Sequence, residues 1–313
     1  MKKIFTLLAV TIACSINAQV QHSGTTNSGS SSSSAIGYVT TATADGAFAS
    51  GRDAEATGDY SQALGYKAKA NGLASVALNN LSEATGQNSL ATGFWSKAIG
   101  LNSTAMGNQT EAIGLNSTAL GFYTKAAGDY STAMGNRLLA NDYSSFVIGY
   151  NNLSGSTVTG SATQANSANT LFVIGNGTYS NRSDAFKVMA NGDTTVSNDL
   201  TVGGDIVVSS DARLKANIVS LGSTLAKLLL IDGKTYTMKN DGKQKIGVLA
   251  QDIQKVFPEL VTTDDKEMLA VNYQGLVPVL INAIKEQEGK IAKQQSEIDE
   301  LKIIVKQFMS SKN

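Results

Sequence analysis

The chain has 313 residues, with 25 basic and 25 acidic side chains and a formal net charge of zero. That balance excludes a strongly basic nucleic-acid binder and an acidic solvating tail. A single Cys and a single His exclude a disulfide scaffold and a Cys/His zinc site, and leave His22 as the only anchor for a Ser-His-Asp triad. Thirty Gly beside 6% aromatic residues implies narrow packing by small side chains rather than one large aromatic core.

Met1-Lys2-Lys3, then an apolar run from Ile4 to Ala13 and Ser-Ile-Asn-Ala at 15–18, predicts a signal peptide over residues 1–18, with Gln19 as the mature N-terminus. A lipoprotein signal ending at Cys14 is the alternative. No second apolar run follows, so the expectation is an exported protein, secreted or at the cell surface, whose mature chain has no transmembrane segment. Residues 19–36 form a Ser-rich tether. Residues 19–205 carry 20 charged side chains and the shorter segment 206–313 carries 28, so the composition changes near residue 206.

From residue 37 to 150 the chain repeats every seven residues, as in SKAIGLN, STAMGNQ, TEAIGLN and STALGFY. Ala recurs without a miss from Ala42 to Ala140, and Gly follows two residues later at twelve positions from Gly51 to Gly135. The Gly column fails at Ala44, Asn79 and Asp142, and Asn and Asp are types that tolerate positive φ, so the column reads as a turn. A coiled coil wants two large apolar residues per seven, and each interior Gly would cost a helix roughly 1 kcal/mol. Collagen needs Gly every third residue. Short strands separated by turns are what is left. In them Ala and the residue two before it face inward, while Leu64, Leu78, Ile99, Met106, Ile113, Leu120 and Met134 face outward and need another cover, most simply a neighbouring chain.

These sevens resemble the head repeats of trimeric autotransporter adhesins. The resemblance implies a left-handed parallel β-roll (a solenoid) in a homotrimer, with two sevens per coil, about seven coils and a length of roughly 35 Å. The membrane barrel of that family has no counterpart here. A host, matrix or cell-surface ligand of residues 37–150 is one reading of the head and a ligand-free spacer is the other.

Residues 151–208 read as a connector and β-stalk. A Ser/Thr/Asn/Gly-rich stretch (Asn151 to Asn169) precedes Leu171, Phe186/Val188/Ala190 alternates into a hairpin at Asn191-Gly192, and Val196, Leu200 and Val202 continue in strand style. Arg182 and Asp184 are expected as a solvated or interchain pair.

Three blocks follow: SSDARLKANI from Ser209, KIGVLAQDIQKVFPELV over 245–261, and LAVNYQGLVPVLINAIKE over 269–286. Together they resemble, over about residues 209–290, the C-terminal intramolecular chaperone of endosialidase-type phage tail spikes and fibres, with the chaperone domain at 209–275 and a coiled-coil helix at 276–313. That family trimerises its fibre and then cuts itself off with a Ser–Lys dyad. Carried across by position, the dyad is Ser210 and Lys215, supported by Asp211 and Arg213. The resemblance implies at most a single-turnover serine peptidase with no external substrate, no cofactor and no metal. Gln244 and Lys245 stand before Ile246-Gly247, where relatives often carry His.

The residues allow two readings of this motif. Ser210 or Asp211 can cap a helix whose first turn holds Arg213 and Lys215. Alternatively Ser210 is a nucleophile and Lys215 its base, which requires burial to disfavour the charged amine. Downstream, a short strand should run into a helix at Gln251 to Val256, stopped by Pro258. Val277, Ile284, Ile291, Ile298 and Val305 then recur every seven beside Leu280, Leu301 and Phe308, as in a parallel coiled coil.

The expectation is therefore a mainly β chain: a parallel β-roll homotrimer with a β-stalk, then a small α+β chaperone domain ending in a coiled coil. Its function would be that of a secreted or cell-surface fibre whose tail drives assembly and is released by autoproteolysis. A passive spike with a permanent clamp is the alternative. A phage tail fibre is disfavoured by the leader.

Overall fold

The structure, a computed structural model, describes residues 32–264 and 267–311 in two compact units that meet at Asp205/Ile206. The leader and Cys14 lie outside the described residues, as does most of the Ser-rich tether.

The first unit is a parallel β-solenoid. Long strands such as Ser34–Tyr38, Phe48–Arg52 and Gln62–Tyr66 stack in one sheet, and two-residue strands such as Thr41–Ala42 and Glu55–Ala56 stack in a second. Every residue pairs with the one fourteen further on, Ala35 with Ala49 and Ala105 with Ala119. The register runs from Ser34 to Phe146 and closes eight coils rather than about seven, because Ala35 already belongs to the Ala column. At about 4.8 Å per coil the roll is roughly 38 Å long.

The column explains the core. Ala42, Ala63, Ala91 and Ala119 are wholly buried, and so are Ser61, Ser75, Ser103 and Ser131, two residues before an Ala. Two sheets facing each other across so thin a coil favour a methyl or a hydroxymethyl, although Thr40, Thr110, Thr124 and, near the last coil, Leu138 and Val147 are buried there too. The outward positions stay open, with Ile99, Met106 and Met134 each at least 40% exposed.

The Gly column does two jobs, and the turn reading covers one of them. Gly51, Gly65, Gly93, Gly107, Gly121 and Gly135 have φ between 116 and 144°, and Asn79 takes the same role at 82°. The alternate members, Gly58 to Gly128, have no such φ. A Cβ on any of them would lie 2.0–2.2 Å from a carbonyl oxygen of the next coil. They are glycines because the coils touch there. Asp142 belongs to this second class, so its tolerance of positive φ is not why it stands in the column. The left-handed turn recurs two residues after the column: every seventh residue from Asp53 to Ser144 has φ of 52–59°, none of them Gly.

After Tyr150 the stretch 151–169 leaves the roll before Thr170–Asn176 rejoins the long-strand sheet beside Phe146–Tyr150. This excursion covers the end of the short-strand sheet. Asn141 N donates to Gly155 O at 3.0 Å and Tyr143 N to Ser161 O at 2.8 Å. The buried Asp142 carboxylate accepts from Thr159 N at 2.7 Å and Thr170 N at 2.8 Å. A cap of this kind satisfies donors that a ninth coil would otherwise meet. The Asn191-Gly192 hairpin forms as expected between Asp184–Met189 and Thr194–Val196.

Within one chain the connector departs from two expectations. Arg182 and Asp184 do not pair with each other. Arg182 Nη1 donates to the carbonyls of Arg137 (3.1 Å) and Asn152 (3.0 Å), and Asp184 accepts from Leu153 N and Ser154 N at 2.8 Å each. Both fasten the connector to the roll within one chain. Leu200 and Val202 are not in strands, and with Ile206, Val207 and Val208 they are exposed. A strand there has no sheet edge in its own chain to pair with.

The second unit holds helix α1 (Leu225–Leu228), a hairpin of Lys234–Thr237 with Gln244–Gly247, helix α2 (Ala250–Val256), a hairpin of Val261–Thr263 with Leu269–Val271, and helix α3 (Leu276–Ser310). Pro258 follows α2 and opens a single 3-10 turn, so the helix stops where its sequence demands. Ile253, Phe257 and Val279 form a small buried core, with Leu228, Val248 and Val271 against it. The 35 residues of α3 reach about 52 Å. Its core contacts use Val279 and Ala283, while Val277, Ile284, Ile291, Ile298 and Val305 form a seam that is 46–64% exposed.

Candidate functional site

The motif at 209–215 folds as a single capped 3-10 turn that ends before Lys215. Asp211 caps a single 3-10 turn (Ala212–Leu214), accepting from Arg213 N at 2.8 Å. Arg213 grips the same carboxylate through Nε at 3.1 Å and Nη2 at 2.7 Å. Those side-chain bonds, with the backbone bond behind them, hold the Asp211 carboxyl below its usual range. The turn is one residue too short to carry Lys215 onward as a helix. It brings the Lys215 backbone N–H onto Ala212 O at 3.1 Å and sends the side chain back over the start of the motif. Lys215 Nζ then donates to Ser210 Oγ at 2.7 Å.

Spacing alone places Ser and Lys five residues apart, and the capped turn converts that spacing into contact. A hydroxyl held against an amine is the minimum constellation for Ser–Lys nucleophilic chemistry. Both side chains are exposed within their own chain. Among the described residues no cluster of acidic, His or Cys side chains could hold a metal ion.

A second feature had no signal in local sequence. The Glu286 carboxylate, on α3, accepts from Ser223 Oγ at 2.6 Å, from Leu225 N at 3.2 Å and from Thr224 N. Thr224 is buried and its Oγ1 donates to Val279 O at 2.9 Å. These donors lower the Glu286 pKa, the Ser223 hydroxyl contributing most and the Thr224 amide next. Glu286 thus serves as the N-terminal cap of α1 from more than sixty residues away. Gln244 and Lys245 lie in the first hairpin, opposite Thr237 and Tyr236.

Comparison with known proteins agrees with this division. Residues 210–262, which begin at the nucleophile candidate, match the family described as chaperone of endosialidase. Residues 56–78, 84–110 and 112–137, all within the roll, match the YadA head domain repeat. The chain thus joins a segment similar to YadA head repeats to one similar to the endosialidase chaperone.

Its relatives include long tail fiber proteins Gp37. The one from Escherichia phage AR1 is 36% identical over 92 residues, which is 26% of this chain and 8% of that protein. The one from Salmonella phage S16 is 32% identical over 113 residues, 33% of this chain and 15% of that protein. That of Enterobacteria phage M1 is 32% identical over 97 residues, 28% of this chain and 39% of that protein. The chain therefore spans well under half the length of these relatives. Over the matched part it is tail-fibre-like. Among the described residues no helix is long and apolar enough to cross a membrane.

Proposed function

We propose that this protein is an exported, homotrimeric fibre with an adhesin-like head, whose chaperone domain assembles three chains and is then cut away at the Ser210–Lys215 dyad. The observation that carries the proposal is the 2.7 Å contact between Lys215 Nζ and Ser210 Oγ, inside a segment that matches the endosialidase chaperone family. In the reaction, Lys215 as the free amine takes the Ser210 hydroxyl proton while Oγ attacks a neighbouring peptide carbonyl. The leaving amide nitrogen receives that proton, and water hydrolyses the resulting ester. Burial favours an amine over an ammonium, so enclosure of the exposed dyad by other chains would make cleavage follow assembly.

Trimer formation is supported by two apolar surfaces that one chain leaves open: the seam of α3 and the outward row of the roll. A parallel solenoid depends on non-local pairing and is slow to form, so chains held together at their tails would meet at higher effective concentration. Removing the tail afterwards would make the fibre kinetically stable.

The test is the intact mass of the purified full chain beside Ser210→Ala and Lys215→Ala. Loss of the segment that follows the dyad in the wild type, with both variants full-length and still trimeric, is the expected result. A wild type that stays full-length would reduce the tail to a permanent clamp, and processing of Ser210→Ala would remove the dyad.

A further inference from the structure

The roll carries a second periodicity, of twenty-eight residues. At or just beyond the end of every other long strand stands an aromatic residue, at Tyr38, Tyr66, Phe94, Phe122 and Tyr150, and between them stand Arg52, Asn80, Asn108 and Asn136. Since coils pair at fourteen, the rings recur every two coils, about 9.6 Å apart along the roll. In the first gap the Arg52 guanidinium sits 5.8 Å from the Tyr38 ring and 5.6 Å from the Tyr66 ring. One flat group in such a gap can therefore touch the rings on both sides.

The middle of the row is different. The next residue in each of two turns is aromatic as well, giving the pairs Phe94/Trp95 (ring centroids 5.3 Å apart) and Phe122/Tyr123 (4.5 Å). All four rings are 37–47% exposed. The coil between the pairs carries two amides, Asn108 and Gln109, whose backbone bonds hold the three coils in step: Gln109 N to Phe94 O at 2.8 Å and Tyr123 N to Asn108 O at 2.9 Å. An amide is shorter than Arg52. Beside this row, in the turn and over the short-strand sheet, a groove of about 600 Å³ opens between Trp95 and Tyr123, over Gln109, Glu111 and Lys125. Arg137 packs on Phe122 (5.6 Å) and Tyr123 (4.8 Å) from the following coil, away from Gln109.

The chemistry of the walls narrows the ligand. The rings offer apolar faces. The Gln109 side chain is half-buried and has no hydrogen-bond partner among the described residues. The charges are already matched, Lys125 with Glu111 at 3.5 Å and Lys97 with Glu83 at 3.8 Å. A ligand for this groove must present C–H faces and hydroxyls together, in repeating units, with no net charge. We infer that the groove between Trp95 and Tyr123 binds a neutral oligosaccharide lying along the roll axis, with pyranose rings stacked on these two aromatic side chains and hydroxyls bonded to Gln109. A second copy of the chain is the competing occupant. The more apolar surface for that contact is the outward row Leu64, Leu78, Met106, Leu120 and Met134 on the long-strand sheet.

This inference rests on the adhesive reading of the head and is independent of cleavage. Trp95 is the only Trp in the chain, so emission excited selectively at Trp, on the red edge where Tyr does not absorb, reports on this groove. Full-length protein is titrated with cellohexaose, chitohexaose, mannohexaose and maltohexaose, and with a hyaluronan hexasaccharide as the charged comparison. The expected result is a saturable change in Trp95 emission with at least one neutral sugar, weakened about tenfold or more in Tyr123→Ala and in Gln109→Ala. Ala74 already occupies the equivalent left-handed turn, so Ala fits the backbone there, and circular dichroism confirms folding. The inference is overturned by silence with all four neutral sugars, by a response confined to hyaluronan, or by affinity unchanged in both variants. Emission shielded from acrylamide until the protein is diluted into single chains would also overturn it and assign the groove to a neighbouring copy. Mass and oligomeric state of the same samples test the fibre reading separately.

Discussion

Replacing Gly100 by Ala isolates the force that fixes the spacing of the coils. Gly100 has no positive φ, so its backbone accepts Ala and the effect is steric only. The new Cβ would lie 2.0 Å from Gly114 O, 2.6 Å from Gly114 C and 2.7 Å from Ile113 O, all of them backbone atoms that cannot rotate away. Relief requires the two coils to part locally by about 1 Å. Three inter-coil bonds cross that gap: Ile99 N to Ala112 O at 2.8 Å, Gly100 N to Ala112 O at 3.3 Å and Asn116 N to Leu101 O at 2.8 Å. At ~1–1.5 kcal/mol for each bond weakened, the loss is about 3–5 kcal/mol. Guanidinium denaturation of the full chain should show a lower midpoint, and hydrogen exchange should rise at residues 98–116 while distant coils keep their protection. An unchanged midpoint with unchanged exchange would mean that the coils slide past a methyl group, and the close-contact account of the alternate glycines would fall.

Three further outcomes follow from the same geometry. Asp142→Ala should free Thr159 N and Thr170 N inside the cap and destabilise the roll by about 3 kcal/mol, read as a lower melting temperature and faster exchange over 151–170. Glu286→Gln should flatten the acid limb of the melting profile. The Glu286 pKa is lowered on folding, so its contribution is complete above the ordinary carboxylate range and disappears as pH falls through the lowered value. Melts from pH 7 to pH 3 check this, and a wild type and variant that decline in parallel would remove the clamp. Gly289→Ala, at a point on α3 where nothing lies within 4 Å, should raise helix stability by about 1 kcal/mol, measured as a higher midpoint for the second unit.

How much of this was legible depended on whether a structural demand selects one residue type. At the Ala position the inside of the coil holds the smallest side chain from Ala42 to Ala140, so that column never misses and the roll can be read directly. Asn191-Gly192 and Pro258 were equally plain, because positive φ and a missing N–H each restrict chemistry. The left-handed turn that recurs every seven was hidden. Its occupants range from Asp53 through Lys67 and Trp95 to Ser144, since an exposed turn tolerates the modest strain of αL in almost any residue. Asp142 and Arg182 were misjudged because their partners are backbone groups, which leave no mark in composition. Ser210 and Lys215 came from resemblance. Their contact is made by a one-turn cap whose residues, Asp211 and Arg213, were present in the motif but whose geometry no spacing rule supplies.

The two periods of the roll also set the units in which such a protein can change its length. Insertion or loss of a single seven would exchange long strands for short ones and break the register, whereas a step of fourteen keeps every backbone pairing. Yet Glu55, Lys69, Glu83, Lys97, Glu111 and Lys125 alternate in sign along the short-strand sheet, with ion pairs at 3.5–3.8 Å. A fourteen-residue step would set like charges side by side and put two aromatic rings in adjacent coils. Only twenty-eight residues, one full alternation, can be duplicated or deleted without trace on the surface. The reach of the fibre is therefore graduated, in increments of about 9.6 Å.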